Sequence, residues 1–369
     1  MGERLHDIVL EAQKTRCRIY APVGAHRDLL AYLVRRLLEN GANTSFINRI
    51  ADPNVSLDDL VADPVSTTRR IGADTGTLGA PHPRIPLPRE IFGTVRRNSR
   101  GMDLTDENEL TRLAQELAKS RAVGWSAEPT INSARAPEMQ PVCNPAHRDD
   151  VVGQVAQADL AQVAAALRAA DTAASAWRAT APAQRAAMLE RAADTMEAKM
   201  PLLMGLIVRE AGKTYSNAIA EVREAVDFMR YYARQAHERF AADTHVPLGP
   251  VVCISPWNFP LAIFTGQVSA ALAAGNTVLA KPAEQTPLIA AEAVRILHHA
   301  GVPRDALVLV PGRGETVGAA LVADARTQGV VFTGSTDVAR IIQRTLASRL
   351  GTEGRPVPLI AETGGQNAM

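Results

Sequence analysis

The sequence predicts an α/β protein whose larger part, residues 141–369, forms a doubly wound, Rossmann-like parallel sheet. Short β-branched runs at 250–255, 276–280, 306–310, 329–333 and 357–361 are each separated by a helix-length segment. Such alternation means βαβ units, right-handed crossovers and helices on both faces of one sheet. Chemically unusual residues follow each of these five runs, and a doubly wound sheet binds its ligands outside the carboxyl ends of its strands.

In chain order, residues 1–54 are apolar and basic with a strong helical period. Cys17 to Val23 reads as a strand, followed by a helix from His26 to Asn40 that Gly41 ends. On that helix Tyr32, Arg35, Arg36 and Glu39 stand at i, i+3, i+4 and i+7 and share one face. The plain reading is a solvated charged stripe. The alternative is a carboxylate site, because two adjacent arginines can grip a carboxylate through paired N–H groups. Residues 55–140 read as a linker rich in turn formers, with prolines at 64, 81, 83, 86 and 88 and one short helix near 106–120. The third zone opens with alanine-rich helices near 157–177, 182–211 and 216–241, ahead of the alternating segments.

Composition narrows the function. Lys+Arg 40 against Asp+Glu 39 leaves a net charge of +1, so nothing global points to nucleic acid. A hydrophobic content of 46% supports a large core. The three cysteines, Cys17, Cys143 and Cys253, are too sparse for a disulfide framework or a Cys-rich metal site, which fits a reducing, cytoplasmic setting. The most apolar stretch, 251–280, is interrupted by Pro256, Asn258, Pro260, Gln267, Gly275 and Asn276, short of the roughly 20 apolar residues a spanning helix needs. The first residues carry no secretory pattern.

The five turns carry the chemistry. After the first run comes Ser255-Pro256-Trp257-Asn258-Phe259-Pro260, a rigid turn exposing an amide. The second ends in Lys281-Pro282-Ala283-Glu284, the third in Pro311-Gly312-Arg313-Gly314-Glu315-Thr316-Val317-Gly318. The fourth enters Gly334-Ser335 and the fifth Glu362-Thr363-Gly364-Gly365. Singly, Gly312 and Gly314 read as turn glycines, and Lys281 with Glu284 as a solvated surface pair. Together a lysine and a glutamate can hydrogen-bond a ribose, while a Gly-Ser helix start attracts a pyrophosphate. That combination describes a dinucleotide site.

PWNFP, KPAEQTP, FTGST and ETGG, in this order and spacing, resemble the aldehyde dehydrogenase family over about residues 141–369. The resemblance implies NAD as cofactor, with Ser255, Trp257, Lys281, Glu284, Gly334 and Ser335 around it and Gly312 and Gly314 in a secondary role. It implies that Asn258 donates to the oxyanion formed when a cysteine thiolate attacks the aldehyde. Glu362 is implied as the general base that activates the water cleaving the thioester. The family's cysteine lies beyond the ETGG-type motif, and Met369 is reached before any such residue. Cys253, inside the apolar run Val251–Ile254, reads as a core thiol. This chain alone is therefore expected not to turn over.

RIYAPVG followed by LLAYLVRRLLENGANTSF is similar to the last strand and helix of the proline dehydrogenase barrel in the proline utilisation A family of bifunctional bacterial enzymes. That resemblance implies an internal fragment, with 1–54 the end of the barrel, 55–140 the linker and 141–369 the NAD-binding part. It implies FAD in the parent enzyme, and contact of Tyr32, Arg35, Arg36 and Tyr20 with proline. It also implies proline and glutamate semialdehyde as small-molecule substrates, a homo-oligomeric parent, and peripheral membrane contact in the family. The rival readings are a monofunctional NAD-dependent aldehyde dehydrogenase and a non-catalytic nucleotide-binding protein.

Overall fold

The computed structural model describes residues 3–14, 16, 23–25, 29–30, 34, 49–50, 52–79, 85–131, 138–240, 245–351 and 354–364. Tyr20, Tyr32, Arg35, Arg36, Glu39 and Cys17 lie outside the described residues; of the predicted 26–40 helix, Leu29, Leu30 and Val34 are described, and all three are helical. The chain divides into two compact units, residues 1–82 with 365–369, and residues 83–364.

The first unit contains α1 (Glu3–Gln13), α2 (Leu57–Val61) and α3 (Pro64–Thr75). α3 stands in the turn-rich stretch because its helix breakers sit at its ends. Asp63 caps it by accepting from the Val65 and Ser66 amides, Pro64 takes the first turn, and Gly76 ends it with φ of 73°.

The second unit contains, ahead of its larger sheet, α4 (Glu107–Ala122) and a three-stranded sheet, β1 (Trp125–Ala127), β2 (Met139–Asn144) and β3 (His147–Ala156), in the order β1-β3-β2. This small sheet was not expected from sequence. Gly153 permits it: a Cβ there would stand 2.4 Å from the Trp125 carbonyl oxygen on β1. Helices α5 (Leu160–Ala179), α6 (Pro182–Ala198), α7 (Met200–Ala211) and α8 (Tyr215–Arg239) follow. The single helix predicted over 182–211 is two. Pro201, in the first turn of α7, has no N–H to give Glu197, and Lys199 leaves helical geometry at φ −89°, ψ 8°.

The alternating region then runs β4 (Pro250–Ile254), α9 (Ala262–Ala273), β5 (Thr277–Lys281), α10 (Pro287–His299), β6 (Leu307–Leu309), α11 (Ala319–Ala323) preceded by a π-turn at Gly314–Gly318, β7 (Gly329–Thr333), α12 (Thr336–Ala347) and β8 (Leu359–Glu362). The five strands pair in parallel in the order β6-β5-β4-β7-β8. The winding direction reverses between β4 and β7. Successive strand residues point to opposite faces, and the two cores divide accordingly. Val251, Cys253, Val278, Ala280, Leu307 and Leu309 face one core with residues of α6 to α10. Val252, Leu279, Val308, Val330 and Phe332 face the other, with residues of α5, α11 and α12.

Residues before α4 also belong to this unit. The Ser99 amide and hydroxyl both donate to Asp227 on α8, at 2.8 and 2.7 Å. Arg230 of the same helix donates to Asp194 and Glu197 on α6, and Arg89 reaches Glu197 as well.

Candidate active site

Strand register brings the predicted residues to one edge of the sheet. Ile254 on β4 is level with Lys281 on β5 and Phe332 on β7, and Thr333 is level with Glu362 on β8. With strands about 4.8 Å apart, the four tips span about 15 Å, and they flank the winding reversal, where ligands of such sheets bind.

The turn after β4 is held at both feet. Upstream, the Ser255 amide donates to the Lys281 carbonyl at 3.3 Å. Downstream, the Leu261 and Ala262 amides donate to one oxygen of Glu221 on α8, at 3.2 and 2.9 Å. Between them Pro256 and Pro260 fix φ, and Trp257, Asn258 and Phe259 are exposed on the crest. The other oxygen of the fully buried Glu221 carboxylate receives the Lys213 ammonium at 2.7 Å. That ammonium also lies 4.1 Å from the centroid of the Phe259 ring.

After β5, Lys281 departs from the surface-pair reading: its side chain is only 3% exposed. The ammonium donates to the Pro282 carbonyl at 3.0 Å and lies 3.5 Å from the Glu284 carboxylate. Burial pushes it below the usual lysine value, opposed by the charges of Glu284 and Glu315. Gly318 lies over its stem, where an added Cβ would stand 3.4 Å from Cδ. In the turn after β6, Gly312 packs into its own loop, since a Cβ would meet Val317 at 2.4 Å, whereas Gly314 opens the π-turn into free space.

Gly334 after β7 donates its amide to the Glu362 carbonyl at 3.1 Å. A Cβ there would come within 2.5 Å of the Phe332 ring. Ser335 caps α12, its hydroxyl accepting from the Val338 amide at 3.3 Å, and is exposed. Glu362 ends β8 and is exposed on the edge strand. Cys253 faces a core with its thiol pushed up to about 12 by burial, and Cys143 lies on β2 in the other sheet.

Three side chains at this edge escaped the sequence reading. Gln267 on α9 bridges the winding reversal: its amide donates to the Thr333 hydroxyl at 3.0 Å and the Ile254 carbonyl at 3.3 Å. Glu221 and Lys213 are the others. The available signal was Glu221 itself, a charge amid Ala218, Val222 and Ala225 on the apolar face of a long helix.

The residues at the edge fit a dinucleotide. The Ser255 hydroxyl and the Gln267 side-chain carbonyl are buried without a hydrogen-bond partner beside β4, so polar capacity stands ready there. The helix start at Ser335 and the ammonium of Lys281 add the electrostatics an anionic ligand needs.

A doubly wound sheet with polar side chains gathered at its winding reversal defines an α/β nucleotide-binding protein. The chain belongs to the aldehyde dehydrogenase family, whose model matches residues 131–369. A second model, described as proline dehydrogenase, matches residues 1–49. The bifunctional protein PutA of Klebsiella aerogenes is 61% identical over 375 aligned residues, covering all of this chain. The chain spans 29% of that relative's length. A 1-pyrroline-5-carboxylate dehydrogenase of Bacillus mycoides is 40% identical over 61% of the chain and 46% of its own length. A crystal structure of bifunctional proline utilization A superposes with TM-score 0.67 at 44% identity, over 99% of this chain and 35% of that one. The 1-pyrroline-5-carboxylate dehydrogenase from Thermus, solved with bound NAD, gives TM-score 0.68 at 34% identity over 77% of this chain and 57% of its own. Among the described residues no helix is long and apolar enough to cross a membrane.

Proposed function

We propose that residues 141–369 take up NAD and present an aldehyde to it, within a cytoplasmic enzyme of the length of the PutA relatives. That enzyme would oxidise proline with FAD, then oxidise the resulting glutamate semialdehyde with NAD. The observation that carries this is the strand register at the sheet edge, where Ile254, Lys281 and Phe332 are level and Glu362 pairs with Thr333 one residue further on. Lys281 and Glu284 suit a ribose: one supplies N–H donors from a buried stem, the other an exposed acceptor. Gly334 and Ser335 suit a pyrophosphate, where the dipole of α12 favours negative charge. Ser255, Trp257, Gly312 and Gly314 would border the same coenzyme. NAD, when bound, accepts a hydride.

The chain's own residues would do the rest. Asn258 sits on a rigid crest and offers an uncharged N–H donor, which stabilises an oxyanion without giving up a proton. Glu362, exposed to water, is placed to accept a proton from an attacking water. Residues 1–54 would be the end of a proline dehydrogenase barrel, with Tyr20, Tyr32, Arg35 and Arg36 in contact with proline and the two arginines pairing with its carboxylate, and 55–140 a linker. Homo-oligomerisation of the longer enzyme belongs to the same proposal.

Titration of NAD into this chain tests the reading, with quenching of tryptophan fluorescence as readout. Binding is expected, and Lys281→Met should weaken it about tenfold, the loss of one charge-assisted hydrogen bond. NAD should not be reduced when glutamate semialdehyde is added. Absence of binding, or equal affinity in the Lys281→Met variant, would overturn the assignment.

A further inference from the structure

Asn258 is useful as an oxyanion donor only if its turn holds still; Pro256 and Pro260 restrict the backbone, but the turn supplies no acceptor for the amides that end it. Leu261, which precedes α9, gives that helix no side-chain cap. The missing acceptor is Glu221, forty residues earlier in the chain, which takes both the Leu261 and the Ala262 amides. A buried carboxylate on two amides satisfies the backbone, and a helix needs no more than that. Here a cation is added. Lys213 pairs with Glu221 at 2.7 Å, and the same ammonium sits 4.1 Å from the Phe259 ring centroid. Phe259 is the immediate neighbour of Asn258, and its ring is 42% exposed. One ion pair thus holds the backbone after Asn258 and the side chain next to it.

Buried Glu210 shows that the cation is not needed for capping. It accepts the Leu288 and Ile289 amides at the start of α10, at 2.6 and 2.9 Å, with its two oxygens. Among the described residues no lysine or arginine forms an ion pair with it, and burial pushes its carboxyl up to about 8. Each glutamate accepts two amides at a helix start, Glu221 with one oxygen and Glu210 with both, and the one beside Asn258 turns its other oxygen to a lysine that also reaches the crest of the turn.

We propose that the Glu221–Lys213 pair is a positioning device for Asn258, setting the amide's place in the oxyanion site without touching substrate. The proposal rests on the reading of Asn258 given above. Its test is semialdehyde oxidation by the protein expressed at the length of its PutA relatives. Asn258→Ala should lower kcat on the order of 10²–10³-fold, as loss of one oxyanion donor does. Lys213→Met should lower kcat about ten- to a hundredfold through misplacement of that donor, with the KM for NAD unchanged. Lys213→Arg keeps the charge and a cation over the Phe259 ring and should restore part of the turnover. In the Asn258→Ala background, Lys213→Met should cost nothing further, because the group it positions is gone. Hydrogen exchange gives a second measure in this chain, with the amides of 257–259, Leu261 and Ala262 expected to open faster in Lys213→Met while β5 and β7 keep their protection. Normal turnover in Lys213→Met beside a crippled Asn258→Ala would sink this proposal alone, as would a Lys213 effect that adds fully to that of Asn258. Normal turnover in Asn258→Ala would sink the oxyanion reading and this proposal with it.

Discussion

The helices that follow β4 and β5 and the helix that follows β7 start in different ways. α9 and α10 are capped from afar, by the buried carboxylates of Glu221 and Glu210 projecting from α8 and α7. α12 is capped by its own neighbour, the exposed Ser335. The distant caps occupy two amides each and seal their helix ends away from water. The local hydroxyl takes one amide and leaves the positive end of the helix open to solvent. An anion can therefore settle on α12 but not on α9 or α10. One side of this sheet edge is thus held closed and the other is left accessible, which suits the proposed coenzyme site, where a turn must keep its shape and a charged ligand must enter.

The sharpest way to break this comparison is to remove each distant cap. Glu221→Ala strands two amides and leaves the mostly covered Lys213 ammonium without its counter-charge. We expect a loss of about 3–5 kcal/mol, the usual cost of breaking a buried pair. Glu210→Ala strands two amides as well but leaves no cation without its partner, so it should cost less than Glu221→Ala. All three tryptophans, Trp125, Trp177 and Trp257, lie in the 83–364 unit, so urea unfolding followed by their fluorescence reports on it. Equal losses would show that Lys213 adds nothing to the Glu221 cap.

Proton linkage separates the same two sites. Burial raises the Glu210 carboxyl from an ordinary 4.5 to about 8, with the Leu288 and Ile289 amides opposing. Between those values the folded chain keeps a proton that the unfolded chain has released. The stability Glu210 contributes is therefore complete below about pH 4.5 and is lost as pH rises through about 8, on the order of a few kcal/mol in all. Glu210→Gln should flatten that stretch of the stability curve. A variant whose curve kept the wild-type slope between pH 5 and 8 would assign the linkage to another group.

On the open side the expected effects are smaller. Gly334→Ala puts a methyl group 2.5 Å from the Phe332 ring, which is itself only 4% exposed. Relief requires the ring or the turn to shift, at about 1–3 kcal/mol for overpacking, and NAD affinity should fall with it. An unchanged melting transition would mean that the end of β7 is as soft as its exposure allows, which would deepen the contrast with β4.

Much of this edge was legible in the sequence because parallel strands advertise themselves locally. The runs at 250–255 and 329–333 stand within a residue of β4 and β7, and Asn258, Gly334 and Ser335 follow them directly. The same local logic found Cys253, whose place inside an apolar strand foretold a core thiol. What stayed hidden depends on distance along the chain. Glu221 lies 41 residues from Ala262 and Glu210 lies 79 from Ile289, so no spacing rule links them. Lys281 next to Glu284 looked like a surface pair, because i,i+3 charges usually are; its burial is imposed by the turn after β6, which folds Gly318 over its stem. The β1-β3-β2 sheet was missed for a related reason. Exposed polar residues interrupt its strands, and its parallel pairing of β1 with β3 rests on Gly153, a residue that sequence alone reads as a breaker.

Glu362→Gln should give the smallest structural effect and the clearest chemical one. The residue is exposed on β8, the edge strand, so its loss should move stability by no more than about 0.5 kcal/mol. The amide retains the shape and cannot accept a proton from water. In the protein at the length of its PutA relatives, with Glu362 in its proposed role of general base, its removal should slow hydrolysis of the acyl intermediate about 10²–10⁴-fold, leaving a burst of NAD reduction followed by a slow steady state. Asn258→Ala acts before the acyl intermediate forms and should suppress the burst itself. Two exposed side chains on the same edge are thus separable by the order in which they fail. A Glu362→Gln variant that lost its burst would place that carboxylate in an earlier step or in the support of the sheet edge.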